Sequence, residues 1–125
     1  MVVTLGAEPE IYFLSHRRSA SGYIYKDVLM ETQPFARRMQ KEMIHEIESA
    51  QPECVAVVVC NNLGLSRPES DREIFDWSGP YRTNYNLIHS FPIHPAPVDS
   101  AILIYLRKHP LPSTNPDSSN DHKNP

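Results

Sequence analysis

The chain has 125 residues, of which 40% are apolar and 22% charged, the composition of a folded soluble chain with room for one domain and no second. At this length folding removes roughly two-thirds of the surface from water, so neither a metal nor a disulfide staple is required and the two cysteines are optional to the fold. Twelve basic against fifteen acidic residues leave a net charge of −3, which argues against a phosphate-backbone binder, and no nucleic-acid partner is expected.

The twelve prolines are about twice the average share. Seven of them, Pro92, Pro95, Pro97, Pro110, Pro112, Pro116 and Pro125, fall in the last third. Met1 to Gly6 carries neither a basic leader nor a long apolar run, so no secretory signal is read there. The longest apolar stretch, Cys54 to Cys60, is seven residues, far short of the about twenty that a membrane helix needs. No direct membrane span is expected.

Val2, Val3 and Leu5 before Gly6 predict a short buried strand. Pro9 suits a first helical turn, which predicts a short helix over Glu8 to Leu14. The polar stretch from Arg17 to Gly22 reads as a loop, and Tyr23 to Tyr25 as a three-residue strand. Pro34 then opens the clearest element: Ala36, Met39, Met43, Ile47 and Ala50 recur at spacings of three and four, with Phe35 and Ile44 widening the stripe. This predicts an amphipathic helix of about sixteen residues, stopped by Pro52, with an Arg38–Glu42 pair on its outer face.

Val55 to Val59 is apolar on both faces, as a strand in the middle of a covered sheet would be. Ser70 and Glu73 form an S-x-x-E capping box ahead of Ile74, Phe75 and Trp77, predicting a second main helix that Gly79-Pro80 shortens or kinks. Tyr85, Leu87, His89 and Phe91 alternate with polar neighbours, and Ala101 to Leu106 is a final apolar strand. The order implies an α/β fold, a small Rossmann-like sandwich of two or three layers. Its sheet is expected to be largely parallel, with two main helices and room for an antiparallel strand at an edge. Residues 1–109 form the expected domain. Residues 110–125 have too little apolar surface to offset the entropy of ordering them, and read as a disordered tail.

Chemistry-bearing residues are sparse. Cys54 and Cys60 lie on one face of the valine strand, about 20 Å apart if it is extended, and cannot bond to each other. Cys54 reads as a small buried hydrophobe. Cys60 stands at a strand end ahead of Asn61-Asn62-Leu63-Gly64, on the rim where open α/β sheets take ligands; a nucleophile there needs a base and an orienting group that cannot be placed. His89 and His94, with Cys60 and Asp99, lack the spacing of a zinc site. His16 with Arg17 and Arg18 makes a basic cluster that fits a phosphate or simply a solvated loop. Neither Gly6-Ala7-Glu8-Pro9 nor Asn61-Asn62-Leu63-Gly64 meets the requirements of a nucleotide loop. The residues therefore nominate Arg17, Arg18, Cys60, Asn61 and Asn62 as ligand-binding candidates, and no catalytic residue, metal ligand or cofactor.

Three phrases carry a resemblance: Gly6 through Ala20 (GAEPEIYFLSHRRSA), Tyr23-Ile24-Tyr25, and Leu29 through Gln40 (LMETQPFARRMQ). With the helix end at 46–52, the valine strand and Ile74-Phe75-Asp76-Trp77 in the same order, they resemble the soluble C-terminal region of bacterial multi-spanning membrane glycosyltransferases. Those enzymes use polyprenyl-phosphate sugars, as the aminoarabinose and protein-mannosyl transferases do. The likeness spans roughly residues 2–91; Gly79-Pro80 and the proline-rich tail depart from it. It implies an accessory, non-catalytic α/β domain, truncated or stand-alone, because the family's transfer chemistry belongs to acidic residues on an early extracytoplasmic loop absent here. Its implied partners are a membrane-embedded glycosyltransferase portion or a polyprenyl-phosphate sugar or acceptor. The implied location is the extracytoplasmic face if attached to a transferase, and the cytoplasm if the chain is expressed alone. The alternative is a stand-alone α/β module binding a small phosphate-bearing ligand.

Overall fold

A computed structural model describes residues 1–6, 9–24, 27–59, 67–93 and 100–109. Its elements run β1 (Val2–Leu5), α1 (Glu10–Ser15), a 3-10 turn (Asp27–Met30), α2 (Ala36–Ala50), β2 (Cys54–Val59), α3 (Glu73–Arg82), β3 (Tyr85–Ile93) and β4 (Ser100–Arg107). The four strands form one sheet in the order β1-β2-β4-β3. The α/β class is as the sequence implies, but the sheet is mixed rather than largely parallel. Only β1 and β2 run parallel, Val3 beside Val55, while β4 is antiparallel to both β2 and β3. The last strand is antiparallel, as expected, but lies inside the sheet; β3 holds the edge.

A right-handed crossover through a helix is the ordinary way to join parallel strands, and α2 fills that place between β1 and β2. Its buried positions, Ala36, Gln40, Met43 and Ile47, recur at four, three and four, one face of a 3.6-residue period. Met43 and Ile47 are completely buried, each contributing about 2 kcal/mol of apolar transfer. They meet Val3, Leu5, Val55 and Tyr85 from the sheet, Leu29 and Met30 from the 3-10 turn and Ile74 from α3. The expected Arg38–Glu42 pair is replaced by longer-range contacts. Glu42 accepts the Tyr23 hydroxyl at 2.9 Å, Glu46 accepts the Gly22 N–H at 2.8 Å, and Arg38 lies over the Phe35 ring. These bonds hold the 20–24 loop against α2, and Tyr23 and Ile24 form no strand.

The expected capping box does not form. Ser70 is three residues outside α3; its hydroxyl donates to Met30 O at 2.7 Å and accepts the Arg67 N–H at 2.9 Å. Glu73 instead pairs with Arg37 at 2.8 Å. The open first turn of α3 is met from across the core by Gln40, whose Oε1 accepts the Ile74 N–H. Pro80 lies inside the last turn of α3, where its missing N–H removes the helical bond to Asp76 O, and the helix ends two residues later with the Thr83 N–H turned to Pro80 O.

The two sheet edges are treated differently. On β1, Val2 donates to Arg18 O and accepts from Ala20 N, and the Thr4 N–H donates to the Tyr12 hydroxyl at 2.8 Å. The Arg18–Ala20 loop and α1 thus occupy the outer edge. Among the described residues β3 pairs with β4 alone.

Candidate functional site

Side chains alternate across a strand, so the register sorts the sheet into two faces. Val55, Val57 and Tyr105 pack toward the helices, which turns Cys54, Ala56, Val58, Ile102, Ile104 and Leu106 the other way. An irregularity between Leu87 and His89 inserts Ile88 into β3 and reverses its parity. Beyond it His89, Phe91 and Ile93 join the second face. The helices α2 and α3 cover the first face, and no described helix lies over Phe91, Ile102, Ile104 and Leu106. Phe91 and Leu106 are 49% and 43% exposed, and the His89 and Phe91 rings sit 4.1 Å apart, centre to centre. Leu87 and Ile88 add two more exposed apolar side chains along β3. The strand bears no charged residue apart from the titratable His89. Alternation in β3 was legible from the sequence, but the inserted residue that moves Phe91 to the open face was not.

A cavity of about 510 Å³ opens where α2, α3, β3 and β4 end, lined by Glu48, Gln51, Tyr81, Asn84, Arg107 and Lys108 among others. Its wall is a hydrogen-bonded aromatic stack. Trp77 lies on Tyr81 at 4.4 Å and Tyr81 tilts onto Tyr85 at 5.5 Å; the Tyr85 hydroxyl donates to Pro52 O at 2.8 Å. That donation uses the only Tyr85 hydroxyl proton, so the Tyr81 hydroxyl, 3.0 Å away, is the donor to Tyr85. Arg107 Nη2 donates to both Pro52 O and the Tyr85 hydroxyl, and its guanidinium lies over the Tyr85 ring at 5.2 Å. Burial raises the Tyr85 phenol far above its ordinary range, the bond with Tyr81 adds to this, and the Arg107 charge opposes it. With its proton on Pro52 O and its lone pairs taken by Tyr81 and Arg107, this hydroxyl anchors the wall.

Of the residues nominated from the sequence, Arg17 and Arg18 are described, and neither lines the cavity. Arg17 pairs with Glu53 at 2.8 Å across an exposed surface, so its charge already has a partner. Arg18 is exposed and contributes its backbone carbonyl to the β1 edge. Cys60, Asn61 and Asn62 lie outside the described residues, as do His94, Asp99 and residues 110–125. Cys54 is half-buried, and its thiol is pushed up by burial, only partly offset by the Arg17 charge; it is less nucleophilic than a free cysteine. Sequence reasoning did not find the cavity. Its lining comes from four element ends, and only Arg107-Lys108-His109 is a local signal.

No described helix is long and apolar enough to cross a membrane. Comparison of the chain with protein-family models, with curated proteins and with solved structures gives no significant match.

Proposed function

We propose that this chain is an accessory, non-catalytic α/β domain of the kind found beyond the membrane helices of lipid-linked-sugar glycosyltransferases, and that it docks on the membrane-embedded portion of such an enzyme. The open apolar sheet face supports this reading. Phe91, Ile93, Ile102, Ile104 and Leu106 lie together on the side away from the helices, by the strand register; Phe91 and Leu106 are exposed and the three isoleucines half-buried, while Ala56 and Thr4 on the same face nearer β1 are buried. A sheet sheltered on one side normally turns polar residues to water on the other. An apolar second face of this kind marks a surface that another protein covers. Within the reading, α2 and α3 build the core that keeps the sheet rigid, and the chain supplies contact area rather than reacting groups. The family resemblance of residues 2–91 supplies the nature of the partner.

The test is co-expression of the full chain with the membrane-embedded portion of a polyprenyl-phosphate-sugar transferase from the same genome, followed by purification in detergent. A stable complex that is lost in Phe91→Asp and in Ile104→Asp is the expected result, with both variants retaining wild-type circular dichroism. Sugar transfer catalysed by the 125-residue chain alone, or a complex indifferent to both substitutions, overturns the proposal.

A further inference from the structure

The cavity at the helix ends has hydrogen-bond donors in excess. Several backbone acceptors beside it are occupied from within the protein. Ile47 O receives the Gln51 N–H, Tyr81 O the Asn84 N–H and Asn84 O the Lys108 N–H. Pro80 O also takes the Thr83 hydroxyl at 2.7 Å and Tyr81 O the Asn84 amide at 3.1 Å. Pro52 O is shared by Tyr85 and Arg107. One oxygen of Glu48, the only acid among the described lining residues, accepts the Trp77 indole N–H at 2.8 Å. These bonds take up part of the carbonyl lone pairs at the ends of α2 and α3.

The donors are less occupied. Lys108, Gln51 and His109 line the cavity, and their side chains make no hydrogen bond or ion pair with any described residue. The Arg107 guanidinium is fixed by Tyr85 and Pro52 through Nη2; its Nε is enclosed and out of a ligand's reach, which leaves Nη1, without a hydrogen bond to any described residue, as its donor to a ligand. Arg107 and Lys108 outnumber Glu48 by one charge. A fixed cation, an exposed lysine and an amide with no described partner around a cavity of about 510 Å³ favour a small ligand rich in acceptors and negatively charged.

We infer that this cavity is a binding site for a small phosphate monoester, with Arg107 and Lys108 meeting the phosphate and Gln51 beside it. The inference keeps the ligand class that the sequence suggests and moves the site from the Arg17-Arg18 loop to the ends of α2 and β4. It does not depend on the docking reading, since the sheet-face residues take no part in it.

Calorimetric titration of the full chain with glycerol 3-phosphate, inorganic phosphate and glycerol tests it. Saturable binding of glycerol 3-phosphate is expected, with weaker binding of inorganic phosphate and none of glycerol. Lys108→Gln removes one charge-assisted bond and weakens binding about tenfold or more. Gln51→Glu places a second carboxylate in the cavity and abolishes binding. Both positions are exposed, so both variants keep the fold, checked by circular dichroism. Arg17→Gln leaves affinity unchanged. Failure of the chain to bind either phosphate, binding indifferent to both Lys108→Gln and Gln51→Glu, or binding lost in Arg17→Gln overturns the inference. Equal binding of glycerol also overturns it.

Discussion

Gln40 Oε1 accepts the backbone N–H of Ile74 at 3.1 Å, so a side chain in the middle of α2 closes the first turn of α3. The same amide donates to Leu29 O at 2.8 Å and to Asp71 O at 2.9 Å. One fully buried polar residue therefore joins the 3-10 turn, the loop before α3 and α3 itself. Its oxygen and both of its N–H groups are used, which is the condition under which a buried amide does not weaken a core.

Replacing Gln40 with leucine keeps the volume and removes all three bonds. Ile74 N, Leu29 O and Asp71 O then lose their partner, at about 1–3 kcal/mol for each buried orphan. The expected loss is about 3 kcal/mol or more in urea denaturation at pH 7. Gln40→Glu should be worse near neutrality and recover on acidification. A carboxylate faces two carbonyl oxygens, while its protonated form donates to one of them. A loss below 1 kcal/mol in Gln40→Leu would show that α3 finds its cap elsewhere.

The failed capping box teaches how far local spacing reaches. Ser70 and Glu73 satisfy the S-x-x-E pattern, yet the Ser70 hydroxyl is drawn to Met30 O, forty residues away. That bond is buried, whereas Arg37–Glu73 lies at the surface. Ser70→Ala should therefore cost about 1–2 kcal/mol, and Glu73→Ala below 1 kcal/mol. A true capping box would give comparable losses for the two, so parallel denaturation curves of the variants decide between the arrangements.

The elements with their own periodicity were legible in the sequence. α2 falls within two residues of the start set by Pro34, and β2 and β4 follow their apolar runs. What the sequence concealed depends on distant partners. Strand direction is one case: Ala101 to Leu106 looks the same whether it runs with or against Val55 to Val59. Another is Gln40, which reads as a surface residue until Ile74 and Leu29 are brought to it. The 3-10 turn holding Leu29 and Met30 has too few residues to show a period, although both side chains are buried. The cavity was illegible for the same reason, since Glu48, Tyr81 and Lys108 meet only after the helices stop together.

Two glycines should respond in opposite senses to alanine. A Cβ on Gly6 would lie well inside contact distance of the Val58 side chain, and β1 cannot retreat because Arg18, Ala20 and Tyr12 hold its outer edge. Gly6→Ala is expected to cost about 1–3 kcal/mol, the range for overpacking, with partial rescue by Val58→Ala. Gly79 is inside α3, and apart from its two chain neighbours nothing lies within 4 Å of an added Cβ. Gly79→Ala should stabilise by about 0.3 kcal/mol, the gain from reduced chain entropy being partly offset by the crowding of a Cβ against the Pro80 ring. Thermal melts of the two single variants, moving in opposite directions, check the pair.

Tyr85 gives the fold an alkaline limit. Its phenol is raised by burial and by its bond with Tyr81, while an unfolded tyrosine ionises near pH 10. The native state then keeps a proton that the unfolded state releases, so the stabilising contribution is full below about pH 10 and is lost as pH rises further. The slope from this one group approaches 1.4 kcal/mol per pH unit. Tyr85→Phe preserves the ring but removes the donation to Pro52 O and the acceptor for Tyr81 and Arg107. It should cost about 1–2 kcal/mol at pH 7. Above pH 10 the variant should lose stability less steeply than the wild type, narrowing the difference between them. Urea denaturation of both proteins at pH 7, 9, 10.5 and 11 measures this. Parallel curves across the series would mean that the Tyr85 hydroxyl ionises at the same pH in the folded and unfolded states.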